Sequence, residues 1–162
     1  MLPTQYTSNA IPTAAYSHLR KYCEEVAYTS SESDYPGQEP TGMVHELDLN
    51  SDIVNYFQRR FKTQGAAHCL YRAYINMFAP REYALFHKDS ETEGLTLIYY
   101  PTSEYGPDEG GATEIIEPDN VIHGYLPLPN RQVIFDSRKL HRATPFKSFK
   151  RYTLALKYEP RQ

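Results

Sequence analysis

The sequence predicts an α+β domain in which about eight short strands close into a sandwich or barrel supported by two amino-terminal helices. Three observations predict this class. Apolar side chains recur at spacings of three and four in two segments of the first third of the chain. After residue 66 the pattern changes to short runs rich in Tyr, Ile, Leu, Val and Phe, separated by Gly, Pro and Asp. Helices followed by strands is the order typical of α+β domains.

Length and composition predict one soluble domain spanning residues 1–162, with helical support over about 12–65 and a β core over about 67–160. The chain has a mass of 18.7 kDa, which is the size of a single domain. Hydrophobic residues make up 40% and charged residues 23%, a globular composition. No apolar run approaches the roughly 20 residues that a membrane helix needs, so we expect no membrane partner.

Two amphipathic segments predict the helices. The first covers 14–26, where aromatic and aliphatic side chains fall on one face. The second covers 52–61, with Asn50 or Ser51 as the capping residue and Gly65 as its end. We expect both helices to pack against the strands.

The strand candidates are separated by turn residues and by two long loops. The loops are 28–42 and 101–111, and we expect them to select the substrate, with the second lying over one mouth of the barrel. The strands are predicted near 68–78, 83–87, 95–100, 112–116, 121–127, 131–135, 140–145 and 151–158.

Charge and cysteine content narrow the partners and the compartment. The net charge is −3 and the pI is about 6.1, which argues against nucleic acid as a partner. The stretch 138–151 is rich in Arg and Lys, and it predicts either a solvated strand pair or a surface for an anionic ligand. Residues 1–16 lack the layout of a secretory signal, and Cys23 and Cys69 are too few for a disulfide scaffold. We therefore expect buried or inert thiols and a cytoplasmic protein.

A set of possible metal ligands lies in the second half of the chain. His87 and Asp89 are two apart, so on an extended strand both side chains point to one face. With His141 they would offer two nitrogens and one oxygen and leave the opposite face of an octahedral ion open. Taken alone, His-x-Asp is weak evidence for a metal site, because a strand histidine is more often structural. The evidence is strengthened by Arg151, which follows His141 by ten residues and whose guanidinium can bind the carboxylate of a dicarboxylic acid. The other histidines are predicted to be structural or exposed: His18, His45, His68 and His123.

The order of these residues resembles a known family. His87-x-Asp89, His141 and Arg151 together resemble the 2-oxoglutarate-dependent iron(II) oxygenase superfamily, and the chain looks most like its prolyl-hydroxylase-like members. Small stand-alone oxygenases of bacteria and phages look similar. The resemblance covers roughly 72–158 and includes the strand 97–100 ahead of an acidic loop and the stretch 128–136 before the second histidine.

The resemblance implies a double-stranded β-helix, the jelly-roll-like barrel of that family, with Fe(II) held by His87, Asp89 and His141. It also implies 2-oxoglutarate as co-substrate, dioxygen as oxidant and ascorbate as a supporting reductant. The implied reaction converts 2-oxoglutarate to succinate and hydroxylates an aliphatic C–H bond. The implied substrate is a prolyl or similar residue in a peptide or protein, or a small amino-acid-like molecule. Because the ligand carboxylate is Asp89 rather than a small residue, hydroxylation is favoured over halogenation.

The resemblance also implies which residues hold 2-oxoglutarate. Arg151 or its neighbour Lys150 would grip the far carboxylate, and strand alternation lets only one of them face the pocket. Tyr100, Thr153 and Asn76 match positions that contact the co-substrate in relatives. Ordinary roles compete with each assignment: a core tyrosine, a packed threonine and a strand-end asparagine. The segment 78–83 lacks the glycine that prolyl hydroxylases commonly carry ahead of the iron motif.

Two functions compete with hydroxylation. The run Asn76-x-Phe78-Ala79-Pro80 also suggests the branch of the superfamily that oxidatively demethylates nucleic acids, although the acidic chain argues against it. A non-catalytic barrel would instead use the metal or the acidic loop to hold a partner. In the plainest alternative His87 and His141 are ordinary strand residues.

Overall fold

The computed structural model describes residues 1–30, 36–39, 41–61 and 67–161. Within these ranges the chain forms two α-helices, α1 (Thr13–Glu25) and α2 (Asp52–Arg60), and a 3-10 turn at Pro107–Glu109. The ten strands are β1 (Gln5–Ser8), β2 (Thr29–Ser30), β3 (Met43–Glu46), β4 (His68–Phe78), β5 (Leu95–Tyr100), β6 (Thr113–Ile116), β7 (Ile122–Tyr125), β8 (Arg131–Asp136), β9 (His141–Ala143) and β10 (Arg151–Pro160).

The strands form two antiparallel sheets. The larger has seven strands in the order β1-β8-β5-β10-β4-β3-β2, and the smaller has three in the order β7-β6-β9. A single backbone bridge between His87 and His141 extends the smaller sheet beyond β9. Sequence neighbours β4 and β5 are separated by β10, so strands distant in sequence interleave, as in a double-stranded β-helix.

Strand alternation gives the larger sheet two different faces. On β10, Leu154 and Leu156 are fully buried and join the hydrophobic cluster formed with the two helices. The odd-numbered side chains Arg151, Thr153, Ala155 and Lys157 line a cavity on the other face. One face of the sheet therefore carries the packing core, and the other is left for polar chemistry.

The helices cover the outer face of the larger sheet. They bury Leu19 and Cys23 from α1 and Val54 and Phe57 from α2. Ser51 caps α2, because its Oγ accepts a hydrogen bond from the backbone N–H of Val54 at 3.4 Å. Both helices begin and end within one residue of the predicted bounds. Over the described residues, neither helix is long and apolar enough to cross a membrane.

A second, smaller core lies between the two sheets. It consists of Tyr100, Ile115, Val133 and Phe135, all with no exposed surface. These residues come from β5, β6 and β8, so the core ties the smaller sheet to the larger one. It thereby fixes the position of β6, the strand that pairs with the His141 strand β9.

The predicted strand at 83–87 is wrong. This segment makes only isolated contacts with β9, namely Ala84 N–H to the Ala143 carbonyl at 3.1 Å and the paired bonds of His87 with His141 at 3.0 Å. It does not continue as a ladder, because Asp89 N–H turns to the Ser137 carbonyl. The other predicted strands are present with end shifts of up to two residues.

The amino-terminal region also contributes strands, contrary to the prediction that strands begin after residue 66. β1 pairs with β8, while β2 and β3 add to the edge at β4. These strands are two to four residues long and largely exposed, so they lack the apolar alternation by which strands are recognised. The described part of the predicted loop 28–42 has no helix, and its one strand is β2. Residues 31–35 and 40 of this loop lie outside the described residues. The same is true of Gly65, the predicted end of the second helix.

Candidate active site

The structure brings His87, Asp89 and His141 together. The backbone bridge between the two histidines places their rings side by side, with centroids 4.4 Å apart. Asp89 Oδ1 lies 3.8 Å from His87 Nε2, and Asp89 Oδ2 lies 3.5 Å from His141 Nε2. One potential ligand atom from each of the three lies within 4.8 Å of the others.

Backbone carbonyls determine which nitrogen each histidine offers. His87 Nδ1 lies 2.8 Å from the Leu85 carbonyl, and His141 Nδ1 lies 3.0 Å from the Lys139 carbonyl. A carbonyl only accepts, so Nδ1 carries the proton and donates it in both rings. Nε2 is then the unprotonated nitrogen of each neutral ring, which is the form that binds a metal.

The three side chains fit a divalent ion. Metal–ligand bonds of roughly 2.0–2.2 Å at right angles place neighbouring ligand atoms about 3 Å apart. The observed separations are slightly longer, so small side-chain rotations suffice. The donor set of two imidazoles and one carboxylate is the facial triad typical of non-haem Fe(II) oxygenases, and it leaves coordination positions for other ligands.

Burial shapes the electrostatics of this cluster. Burial opposes ionisation of Asp89, but the neighbouring Lys157 ammonium and His141 outweigh it and hold the pKa of Asp89 well below its usual range. Burial also lowers the pKa of His141 to about 4, against the opposing effect of Asp89. At neutral pH the cluster therefore presents an ionised carboxylate and a neutral His141, the protonation states that metal binding requires.

The cluster opens into a cavity of about 270 Å³ between the two sheets. Of the other predicted site residues, Asn76, Arg151 and Thr153 line the same cavity. Asn76 and Thr153 are directly opposite each other on β4 and β10. Tyr100 is fully buried behind the lining.

Arg151 lies at one end of the cavity, and two hydrogen bonds to neighbouring residues fix its guanidinium. It is 4% exposed, and its Nε donates to the Gly111 carbonyl at 3.0 Å. Its Nη2 donates to Thr113 Oγ1 at 2.9 Å, and the Tyr100 hydroxyl donates to the same oxygen at 2.7 Å. Tyr100 thus reaches Arg151 through Thr113, a residue that the sequence analysis missed.

Arg151 and Lys150 face different surroundings. Arg151 lines the cavity that contains the histidines, whereas Lys150 is exposed and does not line it. The rest of the basic stretch 138–151 also divides. Three of its cations form ion pairs outside the ligand cluster: Arg138 with Asp136, Lys139 with Glu117, and Arg142 with Glu114.

Gly111 has a backbone conformation that favours glycine, and its carbonyl accepts the hydrogen bond from Arg151. Its φ is +73°, and a Cβ there would lie 2.2 Å from the Phe146 ring. Glycine is therefore required both by the backbone conformation and by the contact. This position ends the predicted loop 101–111, which lies beside the cavity at its Arg151 end.

Two further residues that contact a candidate ligand were not predicted. Lys157 and Thr96 both contact Asp89 Oδ2, Thr96 with its hydroxyl at 2.5 Å. Lys157 had a usable sequence signal, because it lies six residues after Arg151 on one strand and so shares its face. Thr96 and Thr113 had none, because their roles depend on contacts between separate strands.

The remaining histidines lie away from the ligand cluster, as predicted. His18 and His123 are exposed, and His45 bonds with the Tyr22 hydroxyl at 3.1 Å. His68 is buried at the start of β4. The thiols follow expectation in part: Cys23 is buried, and Cys69 is half-buried.

Solved structures share this fold. A prolyl-4-hydroxylase from Pseudomonas putida aligns with a TM-score of 0.80 and 15% identity, covering 98% of this chain and 93% of its own. A prolyl hydroxylase from Trichoplax adhaerens, solved with a hypoxia-inducible-factor peptide, aligns at 0.76 and 14%, covering 97% and 83%. HygX from Streptomyces hygroscopicus, solved with nickel and 2-oxoglutarate, aligns at 0.76 and 10%, covering 97% and 82%.

Sequence comparison identifies the family. No curated protein matches the chain at a significant level. The family model described as the 2OG-Fe(II) oxygenase superfamily matches residues 72–158, which is more than half of the chain and includes all three candidate ligands and Arg151. This family uses Fe(II) and 2-oxoglutarate. The chain therefore belongs to the 2OG-Fe(II) oxygenase superfamily.

Proposed function

We propose that this protein is an Fe(II)- and 2-oxoglutarate-dependent hydroxylase that acts on an aliphatic C–H bond. One observation carries the proposal: His87, Asp89 and His141 converge in the cavity that also contains the buried guanidinium of Arg151. A metal triad alone would suit several reactions. A buried cation at the end of the cavity can bind one carboxylate of a dicarboxylic acid whose other end reaches the metal.

Each residue has a defined part in this proposal. His87 and His141 bind Fe(II) through Nε2, and Asp89 binds it through a carboxylate oxygen. Arg151 pairs with the far carboxylate of 2-oxoglutarate, with Thr153 beside it on the same strand face. When bound, Fe(II) and 2-oxoglutarate supply, with dioxygen, the oxidation that converts C–H to C–OH as 2-oxoglutarate becomes succinate and carbon dioxide.

Tyr100 and Asn76 have supporting parts. The Tyr100 hydroxyl orients Thr113, and Thr113 in turn accepts from Arg151, so the tyrosine fixes the direction of the guanidinium. Burial raises the pKa of Tyr100, which keeps its hydroxyl protonated and able to donate. Asn76 lines the cavity opposite Thr153, where its amide can contact the co-substrate.

The substrate that we propose is a prolyl or similar residue in a peptide or protein, or a small amino-acid-like molecule. Support comes from two relatives of the same fold that are prolyl hydroxylases, one of them solved with a peptide. The cavity wall also includes Thr41 and Val44 from the amino-terminal region. This region would therefore contact the substrate and select it.

Succinate release tests the enzyme claim. Purified protein with Fe(II), 2-oxoglutarate and ascorbate should release succinate, and His87→Ala and Asp89→Ala should abolish the release. Lys147→Met is the control, because Lys147 is exposed and does not line the cavity. The hydroxylase proposal fails if the wild type shows no metal-dependent turnover and does not bind 2-oxoglutarate in calorimetry.

Peptide profiling tests the substrate claim. Proline-containing peptides and free amino acids would be incubated with the active protein and analysed by mass spectrometry for the gain of one oxygen atom. Replacement of the modified proline by alanine should abolish the gain. Turnover that is stimulated by alkylated oligonucleotides and by no peptide or amino acid would instead favour nucleic-acid demethylation.

A further inference from the structure

Lys157 is a cation next to a candidate metal ligand. It lies on β10 opposite Arg72 of β4 and Thr96 of β5, at the end of the cavity away from Arg151. Its side chain is 7% exposed, and its ammonium contacts Asp89 Oδ2 directly. An ammonium group in contact with a metal-binding carboxylate must affect how that carboxylate binds a metal ion.

Two side chains donate hydrogen bonds to the same oxygen of the Asp89 carboxylate. Lys157 Nζ and the Thr96 hydroxyl donate to Oδ2. Thr96 is itself held by Ser137, whose Oγ lies 3.2 Å from its own. Each oxygen faces one histidine, since Oδ1 lies 3.8 Å from His87 Nε2 and Oδ2 lies 3.5 Å from His141 Nε2, so it is the two donors on Oδ2 that distinguish them. The two carboxylate oxygens are thus distinguished before any metal binds.

The main chain around Asp89 is fixed as well. Its N–H donates to the Ser137 carbonyl at 3.0 Å. With the backbone held and one oxygen held, the carboxylate has little rotational freedom left. Partners of this kind that orient a metal ligand typically change metal affinity about 10–100-fold when they are lost.

We propose that Lys157 is a positioning residue which, with Thr96, holds Oδ2 of Asp89 and thereby presents Oδ1 to the iron. The inference rests on the proposed function, because it assumes that Asp89 binds the metal. Lys157 has a second effect through its charge, which opposes the first in metal affinity, and we propose that the positioning effect is the larger of the two. A cation on the non-coordinating oxygen withdraws electron density from the carboxylate, so Asp89 becomes a weaker donor to the iron.

Metal affinity tests the positioning role. Mn(II) binding would be measured by calorimetry in wild type, Lys157→Met, Lys157→Arg and Thr96→Val, with Lys147→Met, outside the cavity, as control. We expect Lys157→Met to bind Mn(II) about 10–100-fold more weakly. Lys157→Arg, which keeps a donor and a charge, should stay within roughly threefold of wild type. Affinity in Lys157→Met equal to or higher than that of wild type overturns the proposal.

A spectroscopic measurement separates positioning from a merely structural role. The visible charge-transfer band of Fe(II) with 2-oxoglutarate, recorded without oxygen, should move to longer wavelength in Lys157→Met, because a more electron-rich iron transfers charge more easily. The band should stay in place in Lys157→Arg and Lys147→Met. A lower melting temperature with an unchanged band and unchanged affinity would make Lys157 structural only.

Thr96→Val keeps the proposal falsifiable if Lys157→Met does not fold. It removes one neutral donor to Oδ2 with little change of volume, so Mn(II) affinity should fall by roughly threefold to tenfold, less than for loss of the charged donor Lys157. Wild-type affinity in Thr96→Val would overturn the proposal in that case. Failure of the wild type itself to bind Mn(II) would instead reject the proposed function.

Discussion

Replacement of Arg151 by methionine should remove most of the affinity for 2-oxoglutarate. Methionine has a similar length and packs in the same buried position, but it has neither charge nor donors. The guanidinium has five N–H groups, and two of the donor atoms are directed at Gly111 and Thr113. The remaining N–H groups are available to a carboxylate.

The magnitude follows from the burial of this site. Each hydrogen bond to a charged group contributes about 1.5–3 kcal/mol, and a two-point grip on a carboxylate contributes two of them. Arg151 is 4% exposed, so solvent screens the pair little. The binding free energy lost is therefore about 3–6 kcal/mol, which is a roughly 10²–10⁴-fold larger dissociation constant. Arg151→Lys, which keeps the charge but not the fork, should lose about tenfold.

Calorimetry of 2-oxoglutarate with Mn(II)-loaded protein measures this loss. Lys150→Met is the control, because Lys150 is exposed and lies outside the cavity. Thermal melting of each variant shows whether the fold persists. The reasoning is refuted if Arg151→Met binds 2-oxoglutarate within threefold of wild type, or if Lys150→Met loses as much affinity as Arg151→Met.

Three further substitutions test the surrounding structure. Gly111→Ala should destabilise the protein by about 1–3 kcal/mol and weaken 2-oxoglutarate binding, because its Cβ meets the Phe146 ring; unchanged calorimetry and melting would contradict this. Phe57→Ala should lower the free energy of unfolding in urea by about 3–5 kcal/mol, because Phe57 is 1% exposed between helix and sheet; a loss below 1 kcal/mol would count against that packing. The hydrogen bonds from Arg138 hold the pKa of Asp136 at about 2, so Asp136 contributes stability above pH 4 that is lost as the pH falls towards 2. Asp136→Asn should therefore cost about 1–2 kcal/mol at pH 7 and almost nothing near pH 2 in urea titrations; a cost independent of pH would refute this.

Local pattern was sufficient for the elements with strong periodicity. The apolar spacing that buries Leu19, Cys23 and Phe57 predicted both helices, because a helix that covers a sheet must place one apolar face on it. Apolar runs predicted β4, β5, β8 and β10 as strands, and the structure places these four at the centre of the larger sheet. Short exposed strands such as β1 were not predicted, because they form by pairing with the edge strand of a sheet, here β8, and their own side chains carry no apolar pattern.

The candidate ligands were predicted from their order, whereas their surroundings were not. His87, Asp89 and His141 stand in a motif that the sequence displays directly. The predicted strand around His87 is absent, because a bridge to His141 and a turn towards Ser137 hold the segment without a ladder. The geometry of the cluster thus came from contacts across the fold.

By itself, the sequence determined the fold class, the two helices, the family and the three side chains that meet in the cavity. Each of these depends on spacing within a segment or on a fixed order along the chain, which are properties of the sequence. Only the tertiary structure decided that Arg151 rather than Lys150 lines the cavity and that Lys157 meets Asp89. Such contacts join residues 68 positions apart, and strand pairing and sheet closure bring them together.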